Sequence, residues 1–157
     1  MTSTNKPSVT PLVSPGEGAR IERYRDPAHP EGSEGLIATV IRGGYVRPGV
    51  EFHSESSDPI QVATICKTRG ETTPAHRHLP IRRTIERTME VLVFRSGRAF
   101  VTVYSSVGNE IASFRASGGD TVVFHSGGHS VRYDEDTIFV EVKQGPYYGR
   151  ENDKENI

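Results

Sequence analysis

Apolar and polar residues alternate in short runs over most of the chain, and turn residues break the runs at close intervals. The run LIATVIR (36–42) stops at Gly43-Gly44, YVRPGVEFH (45–53) contains a Pro-Gly break, and IQVATICKT (60–68) ends before Gly70. EVLVFR (90–95) and AFVTVYS (99–105) flank Ser96-Gly97, the spacing of a tight hairpin. EIASFRA (110–116) leads to Gly118-Gly119-Asp120, TVVFHS (121–126) to Gly127-Gly128, and HSVRY (129–133) through DEDT to the last run, IFVEVKQ (138–144). A strand of period two, repeated at this spacing with no convincing helix, predicts an all-β antiparallel sandwich or barrel. IRRTIERTM (81–89) has some helical spacing. Its β-branched residues and short length favour a loop with at most one turn.

The ends differ from the middle. Residues 1–34 are rich in Pro, Ser, Thr, Gly and Glu and lack a periodic apolar face. Such a segment cannot offset its ordering entropy by burial, so a flexible or extended N-terminal arm is expected there. Residues 149–157 (GRENDKENI) read as a solvated C-terminal tail, which leaves 35–148 as the β domain. No internal repeat is visible.

Composition narrows the function classes. A chain of 157 residues supports one core, and its formal net charge of −1, with lysine and arginine dispersed, offers no basic face for nucleic acid. No apolar run approaches the ~18 residues of a membrane span, and the first residues lack the apolar core of a secretory signal. A single cysteine, Cys66, rules out an intrachain disulfide framework and fits a cytoplasmic location. The expected partner is therefore a small molecule, with neither nucleic acid nor membrane.

Candidate chemistry gathers in three places. His76 and His78 are one residue apart, so on an extended segment they point the same way and could share a cation. Pro74 and Pro80 stiffen that segment. Glu90 shares a strand face with Leu92 and Phe94, where a carboxylate needs a partner. His129 follows the Gly127-Gly128 pair, and His125 is its rival, sharing its face only if the glycine turn keeps the pleat. Imidazole and carboxylate without thiolate suit Fe2+, Mn2+, Ni2+ or Zn2+.

The stretches GETTPAHRH … EVLVFRSG and GGDTVVFHSGGHSV resemble the two motifs of the cupin superfamily, and VEVKQGPYYG extends the likeness to a narrower group of small single-domain bacterial cupins. Gly70, His76, His78, Glu90 and Gly97 correspond to the first motif, and Gly119, Asp120, Gly127 and His129 approximately to the second. Eleven residues separate His78 from Glu90, far more than the family pattern has, so LPIRRTIERTM is an inserted loop. If Glu90 keeps its register the site has four ligands; a shift by one residue would leave three histidines. The resemblance implies a cupin-type double-stranded β-helix, or jelly-roll barrel, commonly a homodimer. It implies one divalent transition metal ion per chain, held by His76, His78, Glu90 and His129.

Arg82, Arg83 and Arg87 lie in the inserted loop and could hold an anionic substrate or form a solvated face. Phe139, Glu141 and Lys143 alternate with Ile138, Val140 and Val142. If the first set lines the cavity, Lys143 and Tyr133 could grip substrate or move protons, with His125 as a third candidate. The resemblance therefore implies a metal-dependent small-molecule enzyme, foremost an oxidoreductase of dioxygenase type. A sugar isomerase or epimerase, possibly on nucleotide-linked sugars, and a metal-stabilised binding module without catalysis are the alternatives.

Overall fold

The computed structural model describes residues 20–31 and 35–157. Its strands are β1 (Ile21–Arg25), β2 (Leu36–Ile41), β3 (Gly49–Phe52), β4 (Ala63–Cys66), β5 (Glu90–Ser96), β6 (Arg98–Tyr104), β7 (Glu110–Ser117), β8 (Thr121–Phe124), β9 (Gly128–Tyr133) and β10 (Ile138–Lys143). A single helical turn, α1 (Arg150–Asp153), follows. Every pairing is antiparallel. Strands β1-β2-β8-β5-β10 form one sheet, β7-β6-β9 a second, and β3-β4 a separate hairpin. The all-β antiparallel expectation is met, and no helix among the described residues is long and apolar enough to cross a membrane.

The two larger sheets pack face to face. Ala38, Val40, Leu92, Phe94, Val122 and Phe124 of the five-stranded sheet meet Ala99, Val101, Val103, Phe114 and Ala116 of the three-stranded one. Alternate residues of β5, β6 and β8 enter this core. Side chains buried this completely contribute about 1.5–3 kcal/mol each for residues of Val or Phe size. Strand β2 is buried on both faces, which explains why LIATV carries a single polar residue, Thr39, rather than an alternation. Its second face, with Thr39, and the outer side of β5 and β8 lie under residues 58–62, where Ile60 and Val62 pack on Met89, Val91 and Val123.

Gly97 turns β5 into β6 at φ +82°, and a Cβ there would collide with the carbonyl of Asp136. The second turn signal, around Gly119-Asp120, is held by charge. The Asp120 carboxylate accepts from the Gly43 and Ser117 amides and from Arg42, whose guanidinium also makes a two-point pair with Glu22 (2.9 Å for each contact). These bonds, with the Arg20 and Tyr24 side chains, hold the Glu22 carboxyl down at about 2, Arg42 being the main cause.

Two expected boundaries differ. Within the arm expected over 1–34, Ile21–Arg25 is the edge strand β1, paired with β2, and Tyr24 stacks on Phe114 to close that side of the sandwich. Residues 1–19 and 32–34 lie outside the described residues. The tail expected over 149–157 contains α1, and Asp153 there pairs with Lys143 of β10. Neither stretch carries a periodic apolar signal: IERYR sets Ile21 and Tyr24 among three charged residues, and REND has no apolar residue.

Candidate functional site

On the side of the sandwich away from Tyr24 and Phe114 the sheets leave a cavity of about 650 Å³. Glu90, Glu141 and Lys143 enter it from β5 and β10, and His129, Val131 and Tyr133 from β9. Register explains the grouping. Glu90 pairs with Lys143 and Leu92 with Glu141, so all four project inward together, while Ile138, Val140 and Val142 face solvent. Of the two arrangements open for β10, the mixed polar face therefore lines the cavity.

Glu90 and His129 meet across the gap between the sheets, with Oε1 3.6 Å from Nε2. The His129 ring lies flat on Phe124, centroids 3.8 Å apart and 6° from parallel, which fixes its plane. Gly127 makes the approach possible: it has φ +65°, and a Cβ there would overlap the Tyr104 carbonyl. His129 beside Glu90 holds that carboxyl below the ordinary carboxylate range, outweighing the upward push of burial. Glu90 is thus ionised at neutral pH. Tyr133 stacks on Phe139 at the rim (6.0 Å, 13°). The Lys143 ammonium is paired with Asp153 and lies 4.9 Å over the Tyr147 ring. Asp153 pushes its pKa up, so Lys143 keeps its charge.

His125 is elsewhere. Phe124 points into the core, so the next residue turns to the outer face of the sheet. There the buried His125 ring joins Thr39 Oγ1 through Nε2 (3.0 Å), with Nδ1 3.5 Å from Asp58 Oδ2. Desolvation lowers its pKa, against the pull of Asp58. Arg87, expected to face substrate, is paired with Asp58 on this same outer face. His125 and Arg87 belong to a structural polar cluster, and neither lines the cavity.

His76, His78, Arg82 and Arg83 are exposed in the irregular segment between β4 and β5. The two imidazoles are neighbours, with centroids 5.3 Å apart, and His76 Nδ1 donates to the Pro74 carbonyl (3.0 Å). They do not join Glu90 and His129. Among the described residues no group of three or more His, Cys, Asp or Glu is gathered to hold a metal ion. Half of the expected ligand set is assembled in the cavity and half stands outside it, so the residues of one chain do not by themselves fit the metal. Sequence reasoning missed Asp58, which orders the outer cluster, and the wall that Asp153 and Ile157 give the cavity. No spacing rule connects either to its partner. Comparison with protein-family models, curated proteins and solved structures found no match.

Proposed function

We propose that this chain is a cupin-type jelly-roll enzyme that moves a proton on a small polar or anionic molecule, isomerising or epimerising a sugar, free or nucleotide-linked. The observation that carries the reading is the Glu90–His129 contact inside the cavity. A carboxylate on one ring nitrogen selects the tautomer with hydrogen there and leaves the other nitrogen free to accept a proton. In the reaction the substrate C–H beside a carbonyl breaks, its electron pair becomes the enolate, and the proton passes to His129 Nδ1. Return of that proton to the other face, after the enolate turns over in the cavity, gives the epimer; its return to the neighbouring carbon gives the isomer, with the hydroxyl proton of that carbon passing to the enolate oxygen. Glu90 stabilises the imidazolium, and Lys143, held charged by Asp153, offsets the negative charge of the substrate. The 3.6 Å separation is long for a hydrogen bond, as catalytic contacts often are before substrate binds.

A second reading, metal-dependent oxidation, is favoured by the donor types of the same pair, an imidazole nitrogen and a carboxylate oxygen. It requires His76 and His78 to arrive as well. The test is deuterium wash-in from D2O, followed by proton NMR, over ribulose 5-phosphate, fructose 6-phosphate and nucleotide-linked 4-keto-6-deoxyhexoses. Loss of one C–H signal with a member of this panel supports proton transfer. Binding without exchange in every case points to the non-catalytic module.

A further inference from the structure

The stretch GRENDKENI (149–157) supplies part of the cavity wall, although little attaches it to the sandwich. The turn α1 buries none of its residues and has no side-chain cap, and a single turn is too short to hold a helix by itself. Its other hydrogen bonds are local. Asn152 and Lys154 donate their amides to the Gly149 and Arg150 carbonyls, the Asn152 side chain donates to the Tyr148 carbonyl, and Arg150 donates to the Asn156 side chain. Ile157 is the one apolar residue of the stretch. It reaches Gly128 so closely that a Cβ there would lie 2.5 Å from its Cδ1, yet it is 67 % exposed. Among the described residues, the one hydrogen bond or ion pair that ties 149–157 to a strand is Asp153 with Lys143.

That bond sits beside the proton-transfer pair. Lys143 of β10 stands directly opposite Glu90 of β5, so the two side chains leave the sheet next to each other, and His129 is 3.6 Å from Glu90. Asp153 gives the Lys143 ammonium a carboxylate oxygen. A phosphate or carboxylate on a small molecule makes the same charge-assisted bond, and makes it without the entropy cost of ordering the tail. Charge favours the exchange as well. The tail brings two acids, Asp153 and Glu155, and one cation, Lys154, to the cavity wall. When it leaves, the wall loses one net negative charge, and Lys143 remains with Glu90 and Glu141.

We propose that Lys143 anchors an anionic oxygen group of the substrate, a phosphate or a carboxylate, that Asp153 fills this anchor in the free protein, and that binding releases residues 149–157 from the cavity wall. Asp153 thereby selects the ligand: an anion replaces it on the ammonium, and a neutral sugar does not. This deepens the proton-transfer reading and rests on it for calling the ligand a substrate. The exchange of Asp153 for an anion does not depend on that reading.

The test uses the full chain, with inorganic phosphate and acetate as probes and the NMR amide signals of residues 150–157 as the readout. In wild type at least one of the two anions should bind and move these signals to unstructured positions; which of them does so decides the class of group. Asp153→Asn keeps the shape of the side chain and removes its charge. It should bind the same anion about tenfold more tightly, the gain expected when a competitor fills the site about nine-tenths of the time. Lys143→Met should free the tail with no anion present and should bind neither probe. Binding that leaves the tail signals in place, equal or weaker affinity in Asp153→Asn, undiminished binding by Lys143→Met, or no binding of either anion would overturn the proposal. The two readings fail separately. Anion-driven release of the tail with no deuterium wash-in across the substrate panel would sink proton transfer and leave the anchor standing. Wash-in on a phosphorylated substrate with the same KM in wild type and Asp153→Asn would sink the anchor and leave proton transfer standing.

Discussion

Glu90 opens a strand of one sheet and His129 lies in a strand of the other, yet Oε1 and Nε2 are 3.6 Å apart. The pair is the point at which the two sheets touch through polar groups inside the cavity. Both side chains keep some access to solvent, so their attraction contributes about 1 kcal/mol or less to stability. Glu90→Gln should therefore leave the urea midpoint nearly unchanged while reducing proton exchange on a responsive substrate about a hundred- to ten-thousandfold. A large loss of stability instead would mark the pair as a structural element.

The outer cluster should behave in the opposite way. Asp58 accepts from Arg87 and from the Glu55 amide (2.9 Å), and its side chain is almost wholly buried. Asp58→Ala leaves the Arg87 guanidinium without its partner at a site about one third exposed, so a cost near the lower end for broken buried pairs, about 3 kcal/mol, is expected in denaturant unfolding. The cavity chemistry should survive in the folded fraction.

His125 gives this cluster a pH dependence. Burial lowers its folded pKa below the ordinary histidine value near 6.5, so the unfolded chain binds the proton more readily. Stability from this group is complete above about pH 6.5 and falls as the pH drops toward the folded value. Urea midpoints at pH 7.5 and pH 5 should differ more in wild type than in His125→Gln, whose amide cannot titrate in that range. Equal differences would show that His125 is not the group responsible.

Glu22 titrates lower still. Its folded pKa near 2, against about 4.5 for a free glutamate, means that its contribution is present above 4.5 and is lost as the pH falls through 2. Glu22→Gln should cost up to about 3 kcal/mol at neutral pH, and the gap from wild type should close in acid. Thermal unfolding at pH 7 and pH 2.5 checks this.

Strand existence was legible because short runs of apolar and β-branched residues stand between turn residues. EVLVFR, AFVTVYS and TVVFHS all lie in strands, and Glu90 shares its face with Leu92 and Phe94, beside His129. Strand β1 was not legible: Glu22 and Arg25 look like arm residues, and the main partner of Glu22, Arg42, lies twenty residues further along the chain. The face of His125 followed from Phe124 pointing inward, which one sequence cannot decide beside a double glycine. His76 and His78 show the limit most clearly. Their shared direction on an extended segment is a local property, but where that segment lies is set by contacts far along the chain or in another molecule.

Deuterium wash-in compared between His129→Ala and His125→Gln reads the proposed proton transfer most directly, because His129 lines the cavity between the sheets and His125 is buried on the outer face of the five-stranded sheet. With a substrate that wild type labels, His125→Gln should still incorporate deuterium at close to the wild-type rate, and His129→Ala should incorporate none above background. Undiminished labelling by His129→Ala would contradict the assignment of the reaction to the Glu90–His129 cavity.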